Sequence, residues 1–270
     1  MLTVFHAFLL GMVQGLTEFL PISSSGHLVL IPYIFRWNYQ GLSFDVALHA
    51  GTAIAIVIYF GKDWMAIIKN AFIKGKSGEN SNIEKYPNNL LWQILAASIP
   101  AGILGLAIDK YIEKNFHSVL FIAFNFAFFG FLLWYSDKKS KSDQKPEKLT
   151  YKKSFLIGLS QAIALVPGVS RSGITLTASR LIGFKREEAV RFSFLLATPT
   201  IVGAFLVKLP DILKGGIGIN FWVGTLTATI FGLLAIKFLF VYLKKRDFSI
   251  FLWYRLLIAL LIVVLYFLHH

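Results

Sequence analysis

Six apolar stretches of near membrane-crossing length, at residues 44–60, 90–108, 117–135, 189–208, 219–241 and 250–268, leave this chain of 270 residues few ways to fold. A hydrocarbon core takes about 20 helical residues to cross. Inside it every backbone N–H and C=O needs a partner within the protein, because an unsatisfied group costs several kcal/mol. The expected fold class is therefore an all-α polytopic membrane protein with six transmembrane helices. Composition agrees: 56% of the residues are apolar and 16% aromatic, above the roughly 45–50% apolar content of soluble domains.

Charge narrows the class further. The net charge of +13 comes from Lys and Arg lying mostly in the short segments between apolar runs, a pattern that suits loops beside anionic headgroups. Nucleic-acid binding would need basic residues interleaved with exposed aromatics, and the aromatics here lie inside the apolar runs, so no nucleic-acid partner is expected. With no cysteine in the chain, disulfides, thiolate nucleophiles and thiolate metal sites are excluded. The apolar N-terminus lacks a basic leader region and a small-residue cleavage site, so it is expected to stay in the mature protein.

Two further apolar regions, 2–35 and 154–183, are each broken midway, by PISSSG at 21–26 and by PGVSRSG at 167–173. Non-helical backbone at membrane depth is tolerated only where protein or a wet cavity covers it, which predicts two re-entrant helix pairs. The two regions are also related in sequence. GMVQGLTEFLPISSSG at 11–26 lies over GLSQAIALVPGVSRSG at 158–173 without a gap, bringing Gly11, Gln14, Ser23, Ser25 and Gly26 onto Gly158, Gln161, Ser170, Ser172 and Gly173. Each half then holds one re-entrant pair and three spanning helices. An odd number of crossings turns the second copy over in the membrane, which is an inverted-topology repeat. The expected organisation is a single membrane domain over 1–270, with halves of about 1–140 and 150–270 joined by a basic cytoplasmic loop at about 136–153. Segments 61–89 and 136–153 carry five and seven Lys, against Lys110 and Lys114 alone in 109–116, so the richer loops are placed in the cytoplasm. Both termini then lie outside. The first re-entrant pair enters from outside and the second from the cytoplasm, and they meet near the midplane.

The polar residues of the interruptions carry the chemistry. Gln14 and Glu18, four apart, share a helix face, and a carboxylate in an apolar helix marks a functional site unless it is paired or protonated. A structural hydrogen bond from a protonated Glu18 to a neighbouring serine is the plainer alternative. His27 follows Ser23, Ser24 and Ser25 closely, while His6 and His49 have less support. In the second copy Ser170, Arg171 and Ser172 lie between Gly168 and Gly173, which permit close backbone approach. A guanidinium keeps its charge and offers paired donors matched to phosphate or carboxylate; an ion pair with Glu18 is its structural alternative. Serines, glycine amides, an arginine and helix N-termini together describe an oxyanion or phosphate pocket, and the adjacent carboxylate and imidazole add metal-binding or acid/base capacity. At membrane depth, without a soluble domain or a nucleotide-binding glycine loop, a lipid-linked phosphate is the fitting ligand.

QGLTEFLPISSSGH at 14–27 and PGVSRSG at 167–173 resemble the signatures of the bacterial undecaprenyl-diphosphate phosphatases, also called bacitracin resistance proteins, and the resemblance covers essentially the whole chain. It implies hydrolysis of undecaprenyl diphosphate to the monophosphate carrier lipid for peptidoglycan synthesis, in the bacterial cell membrane, with a divalent cation, Mg²⁺ or Ca²⁺. The implied catalytic residues are Glu18, Ser24, His27 and Arg171. Phosphate would be bound by Ser23, Ser25, Gly26, Gly168, Ser170, Ser172 and Gly173, and the cation by Glu18 and, more weakly, Gln14, where many members of that family carry glutamate. The expected mechanism is attack by Ser24, activated by His27 or Glu18, in a site facing outside. The competing assignment makes His27 the nucleophile and Ser24 a phosphate ligand. Implied partners are the polyprenyl diphosphate and membrane lipids, with a homodimer also compatible. Inverted repeats are shared with secondary transporters, so a lipid-phosphate flippase is the alternative function.

Overall fold

The computed structural model describes residues 3–37, 42–72, 86–115, 118–140, 149–215 and 218–269. Every regular element among them is an α-helix: α1 (Val4–Phe19), α2 (Ser24–Phe35), α3 (Leu42–Phe72), α4 (Leu90–Asn115), α5 (Val119–Lys139), α6 (Tyr151–Ile163), α7 (Arg171–Leu181), α8 (Arg186–Gly215), α9 (Ile219–Leu243) and α10 (Ser249–His269). Six of these, α3, α4, α5, α8, α9 and α10, are long and apolar enough to cross a membrane, the number expected from sequence. The other four have 16, 12, 13 and 11 residues. At about 1.5 Å per residue they span roughly 17–24 Å, short of a core of about 30 Å. They form two pairs, α1 with α2 and α6 with α7, broken at the two polar interruptions.

The first spanning helix differs from its expected limits. Residues 61–72, read from Lys62 and Lys69 as the start of a loop, continue α3 to Phe72. Lys62 and Lys69 are exposed, and a lysine on a helix end can hold its ammonium outward while its stem lies along apolar surface. Much of the lysine-rich loops, residues 73–85 and 141–148, lies outside the described residues, as do the side chains of Lys110, Lys114, Lys208 and Lys214 and the terminal His270.

Packing crosses between the halves. α1 lies along α9 and, correspondingly, α6 lies along α4, while α5 packs on α10. Lipid tails give helices no hydrophobic reason to associate, so close contact depends on small residues. A Cβ added at Gly11 would stand 2.7 Å from the Gly224 carbonyl of α9, and one at Gly158 would run into the Ala97 carbonyl of α4. Hydroxyls reinforce α9 on α3, where Thr225 and Thr229 donate to the Ala47 and Gly51 carbonyls, both at 3.0 Å. At one end of the bundle, ion pairs join the helix ends. Asp137 of α5 takes Arg180 of α7 at 2.8 Å and Arg186 of α8 at 2.9 Å, Lys138 reaches Asp247 at 2.7 Å, and Arg191 reaches Asp63 at 3.1 Å.

Candidate active site

The site begins where α1 stops. Gln14 and Glu18 do share a face, and the Gln14 amide donates to Glu18 Oε2 at 3.1 Å; both are buried, at 0% and 8% exposure. After the turn at Leu20–Ile22, Ser23 sits at φ 73° and caps α2, its hydroxyl accepting from the Gly26 amide at 3.4 Å. The second interruption has the same local design. Ser170 sits at φ 76° and caps α7, its hydroxyl accepting from the Gly173 amide at 3.1 Å. The Ser23–Ser25 and Ser170–Ser172 hydroxyl pairs are 3.3 and 3.2 Å apart. A non-glycine residue at positive φ costs of order 1–3 kcal/mol and persists where its surroundings impose it, often at functional sites. Here it buys a side-chain cap at each N-terminus, leaving the first amides of α2 and α7 without an acceptor inside their own helices.

The two loops meet. Arg171, the first residue of α7, donates from Nη2 to Glu18 Oε1 at 2.8 Å, and Ser172 donates to the Leu20 carbonyl at 3.1 Å. The Ser24 hydroxyl donates to Glu18 Oε2 in a short hydrogen bond. Glu18 thus takes Arg171, Ser24 and Gln14 together: the ion pair with Arg171 is present, whereas the serine hydrogen bond runs from Ser24 to the carboxylate and not from a protonated Glu18 to the serine. They leave two buried atoms without a partner among the described residues, Arg171 Nη1 and Gln14 Oε1.

His27 lies apart from this cluster. Its Nδ1 is 2.7 Å from the Ser23 carbonyl, which can only accept, so Nδ1 carries a proton. Its Nε2 is 2.7 Å from the Tyr254 hydroxyl, and its ring stacks on Tyr254 and tilts against Phe126. Both ring nitrogens are committed, and neither addresses Ser24. The three glycines have packing duties: a Cβ at Gly26 would run into the Phe126 ring, one at Gly168, φ +89°, would meet Asn125 Cβ at 2.9 Å, and one at Gly173 would meet Ser170 Cβ at 3.1 Å.

Three further residues join the site: His49, which has little support in sequence, and Tyr254 and Arg255, which the sequence reading does not single out. His49 of α3 is 3.0 Å through Nδ1 from the Gln14 amide, extending the line Ser24, Glu18, Gln14. Tyr254 and Arg255 enter from α10; an arginine in so apolar a helix is itself a signal. His6 instead caps α1 with Thr3 and packs on Trp37, away from the cluster.

Comparison with known proteins identifies the family. The model of the family described as "Bacitracin resistance protein BacA" matches residues 7–261. The chain is 44% identical to an "Undecaprenyl-diphosphatase" of Pelotomaculum thermopropionicum, covering 98% of this chain and 97% of the relative. It is 43% identical to one of Moorella thermoacetica, covering 99% of each, and 45% identical to one of Elusimicrobium minutum, covering 97% and 98%. A family match across nearly the full length, on a chain whose two interruptions fold into one polar cluster, places this multi-pass membrane protein in the bacitracin resistance protein BacA family.

Proposed function

We propose that this chain is an undecaprenyl-diphosphatase, hydrolysing undecaprenyl diphosphate to undecaprenyl phosphate and inorganic phosphate, and so recycling the carrier lipid for peptidoglycan synthesis and conferring bacitracin resistance. The observation that carries the site assignment is the convergence of Ser24, Glu18 and Arg171 from two loops about 150 residues apart. Ser24 is the nucleophile and Glu18 its base, because the Ser24 hydroxyl already donates to that carboxylate while His27 is held by Ser23 and Tyr254. Ser24 Oγ attacks the terminal phosphorus, its proton passes to Glu18, and the bond to the bridging oxygen breaks, releasing undecaprenyl phosphate. Water then cleaves the phosphoserine: both of its protons leave with the departing phosphate, as H₂PO₄⁻ that can release one to solvent, while Glu18 returns its own proton to Ser24 Oγ. Arg171 Nη1 and the first amides of α2 and α7 neutralise non-bridging oxygens, where phosphoryl transfer gains most from an enzyme. The Ser23, Ser25, Ser170 and Ser172 hydroxyls line the same two N-termini.

A cation fits here in a limited way. Among the described residues no three or more carboxylate and imidazole groups cluster, but Gln14 Oε1 is a buried oxygen without a partner beside Glu18. Mg²⁺ or Ca²⁺ would be held by Glu18 and Gln14 and completed by substrate oxygens, as is usual for such ions at phosphates. When bound it would supply charge neutralisation at the transferred phosphate.

The two halves form an inverted repeat, with α1/α2 and α6/α7 as re-entrant pairs; their lengths, their equivalent serine caps and the exchanged packing of α1 on α9 and α6 on α4 support this. The site faces the outside of the cell membrane in this reading, which the lysine distribution of the loops supports. A cysteine introduced at Arg36 in this cysteine-free chain should react from outside; labelling only from the cytoplasm would reverse the orientation. The function itself is tested by phosphate release from undecaprenyl diphosphate in detergent, with and without EDTA. Metal-dependent release, lost in folded Glu18→Ala, Ser24→Ala and Arg171→Ala variants, is expected. No release from folded wild type would favour lipid transport.

A further inference from the structure

Arg255 is fully buried in α10, and among the described residues no carboxylate pairs with it. A guanidinium cannot shed its charge, so its burial has to be answered by acceptors, and the acceptors are main-chain carbonyls drawn from three separate places. Nε donates to Phe126 of α5 at 2.8 Å, and Nη2 donates to Asn125 of α5 at 3.0 Å and to Gly168 at 2.7 Å. Nη1 donates to Pro21 and to Val169, both at 3.2 Å. Pro21 belongs to the loop before α2, and Gly168 and Val169 to the loop before α7. The guanidinium lies over the Phe126 ring, 5.4 Å from its centroid, and Gly130 leaves room for its stem, since a Cβ there would stand 3.2 Å from Nε.

We infer that Arg255 is the positioning residue of the active site, one cation that binds the backbones of both loops and so fixes the α2 N-terminus, with Ser24, against the α7 N-terminus, with Arg171. The inference rests on the phosphatase reading for its kinetic consequence and on geometry alone for its structural one. The peptide unit is planar and trans, so a carbonyl turned toward Arg255 turns the next amide away from it; for Val169 that amide belongs to Ser170, the cap of α7. Arg255 therefore sets the facing of the loop peptides as well as their separation. Ser24 and Glu18 belong to one half and Arg171 to the other, so loss of the shared cation loosens the distance on which the proposed reaction depends. A misplacement of about 1 Å can cost roughly 100-fold in rate, whereas ground-state phosphate can follow a relaxed loop.

The test uses the purified full-length protein. Arg255→Lys keeps the charge but cannot reach five carbonyls, and Gly168→Ala disturbs the same contact from the other side. Both are expected to lower kcat about 50-fold or more with KM within about threefold, and the double variant should cost no more than the larger single change, as for two changes that break one contact. Asp137→Asn, which weakens the ion cluster at the far end of α7, serves as the destabilised control and should keep kcat per folded molecule within about threefold. Independently of activity, a cysteine pair replacing Leu20 and Ser172, whose carbonyl and hydroxyl are 3.1 Å apart, should oxidise at least tenfold more slowly when Arg255→Lys or Gly168→Ala is added. Variants that fold and match the control in kcat, or an unchanged oxidation rate, would overturn the positioning role. If wild type releases no phosphate, the phosphatase reading fails and the oxidation rate alone decides the role of Arg255.

Discussion

Replacing Glu18 by glutamine probes two duties of this carboxylate, as base for Ser24 and as counter-charge for Arg171, beside its proposed share in holding a cation. The side chain keeps its size, but three donors now converge on Glu18, from Arg171 at 2.8 Å, from Gln14 at 3.1 Å and from Ser24. A glutamine offers one acceptor oxygen and turns an NH₂ toward the remaining donors. A buried donor left unpaired costs about 1–3 kcal/mol, and breaking a fully buried ion pair about 3–5 kcal/mol. The Arg171 side chain is 15% exposed, so a loss near 2–3 kcal/mol is expected, visible as a lower Tm in detergent. Loss of a general base typically costs about 10²–10⁴-fold, so kcat should fall roughly 1,000-fold, equivalent to about 4 kcal/mol of barrier. KM, however, should stay level or fall, because Arg171 no longer divides its guanidinium between Glu18 and phosphate. Steady-state phosphate release against undecaprenyl diphosphate concentration, normalised to folded protein, measures both. A kcat within tenfold of wild type would show that Glu18 is not the base, and a KM raised tenfold would show that the ion pair holds Arg171 in place for substrate.

Further outcomes follow from the same contacts. Tyr254→Phe removes one hydrogen bond to His27 Nε2 while keeping the stacked ring; at about 1 kcal/mol net for such a bond, Tm should drop slightly while kcat, in a reaction that does not use His27, stays within about twofold, and a kcat lowered as far as by His27→Ala would bring the imidazole into the chemistry. Gly158→Ala forces a methyl into the Ala97 carbonyl of α4, and overpacking of this kind costs about 1–3 kcal/mol, so Tm in detergent should drop clearly. Asp247, outside the spans, is held down from 3.8 to about 2 mainly by its hydrogen bond from Lys138. Its stabilising contribution is therefore complete above about pH 4 and lost as pH falls toward 2. Lys138→Met should lower Tm slightly at neutral pH, by about 1 kcal/mol or less for so exposed a pair, and the difference should shrink as pH falls through about 2.

What could be read from the sequence is what depends on local pattern. Apolar runs of sufficient length located all six spans, and the Gln14–Glu18 spacing put the two on one face, because helix periodicity is a property of neighbours in the chain. The end of α3 was misplaced for a physical reason: Lys62 and Lys69 look like loop residues until their long stems are allowed to lie along a helix end. Long-range partners were harder to see. Nothing near His27 announces that its imidazole is held by Tyr254, 227 positions away, so the sequence left His27 and Glu18 equally eligible to activate Ser24. Arg255 was legible by the same rule that drew attention to Glu18 and Arg171, an ionisable residue inside an apolar helix. It lacked neighbouring serines and glycines, because its acceptors are carbonyls, which every residue possesses and no sequence motif displays.

The same ion pair explains how such a site can exist in an apolar bundle and still act on an anion. A lone carboxylate or guanidinium in such apolar surroundings would be costly, and pairing Glu18 with Arg171 lets the protein bury both. The pairing is incomplete, since Arg171 Nη1 is left without an acceptor among the described residues. In the proposed reaction a diphosphate enters as a second anion for the same guanidinium, first at Nη1 and then in competition with Glu18 for Nη2. As Arg171 turns toward phosphate, the carboxylate loses its counter-charge, and a less stabilised anion is a stronger base toward the Ser24 hydroxyl that already donates to it. Substrate binding and activation of the nucleophile would then be one event, confined to the moment when phosphate is in place. Arg171→Lys tests this coupling: a lysine retains the charge but not the fork that can serve two anions, so it should preserve folding while kcat falls by much more than KM rises, whereas equal losses in the two would reduce Arg171 to a binding residue.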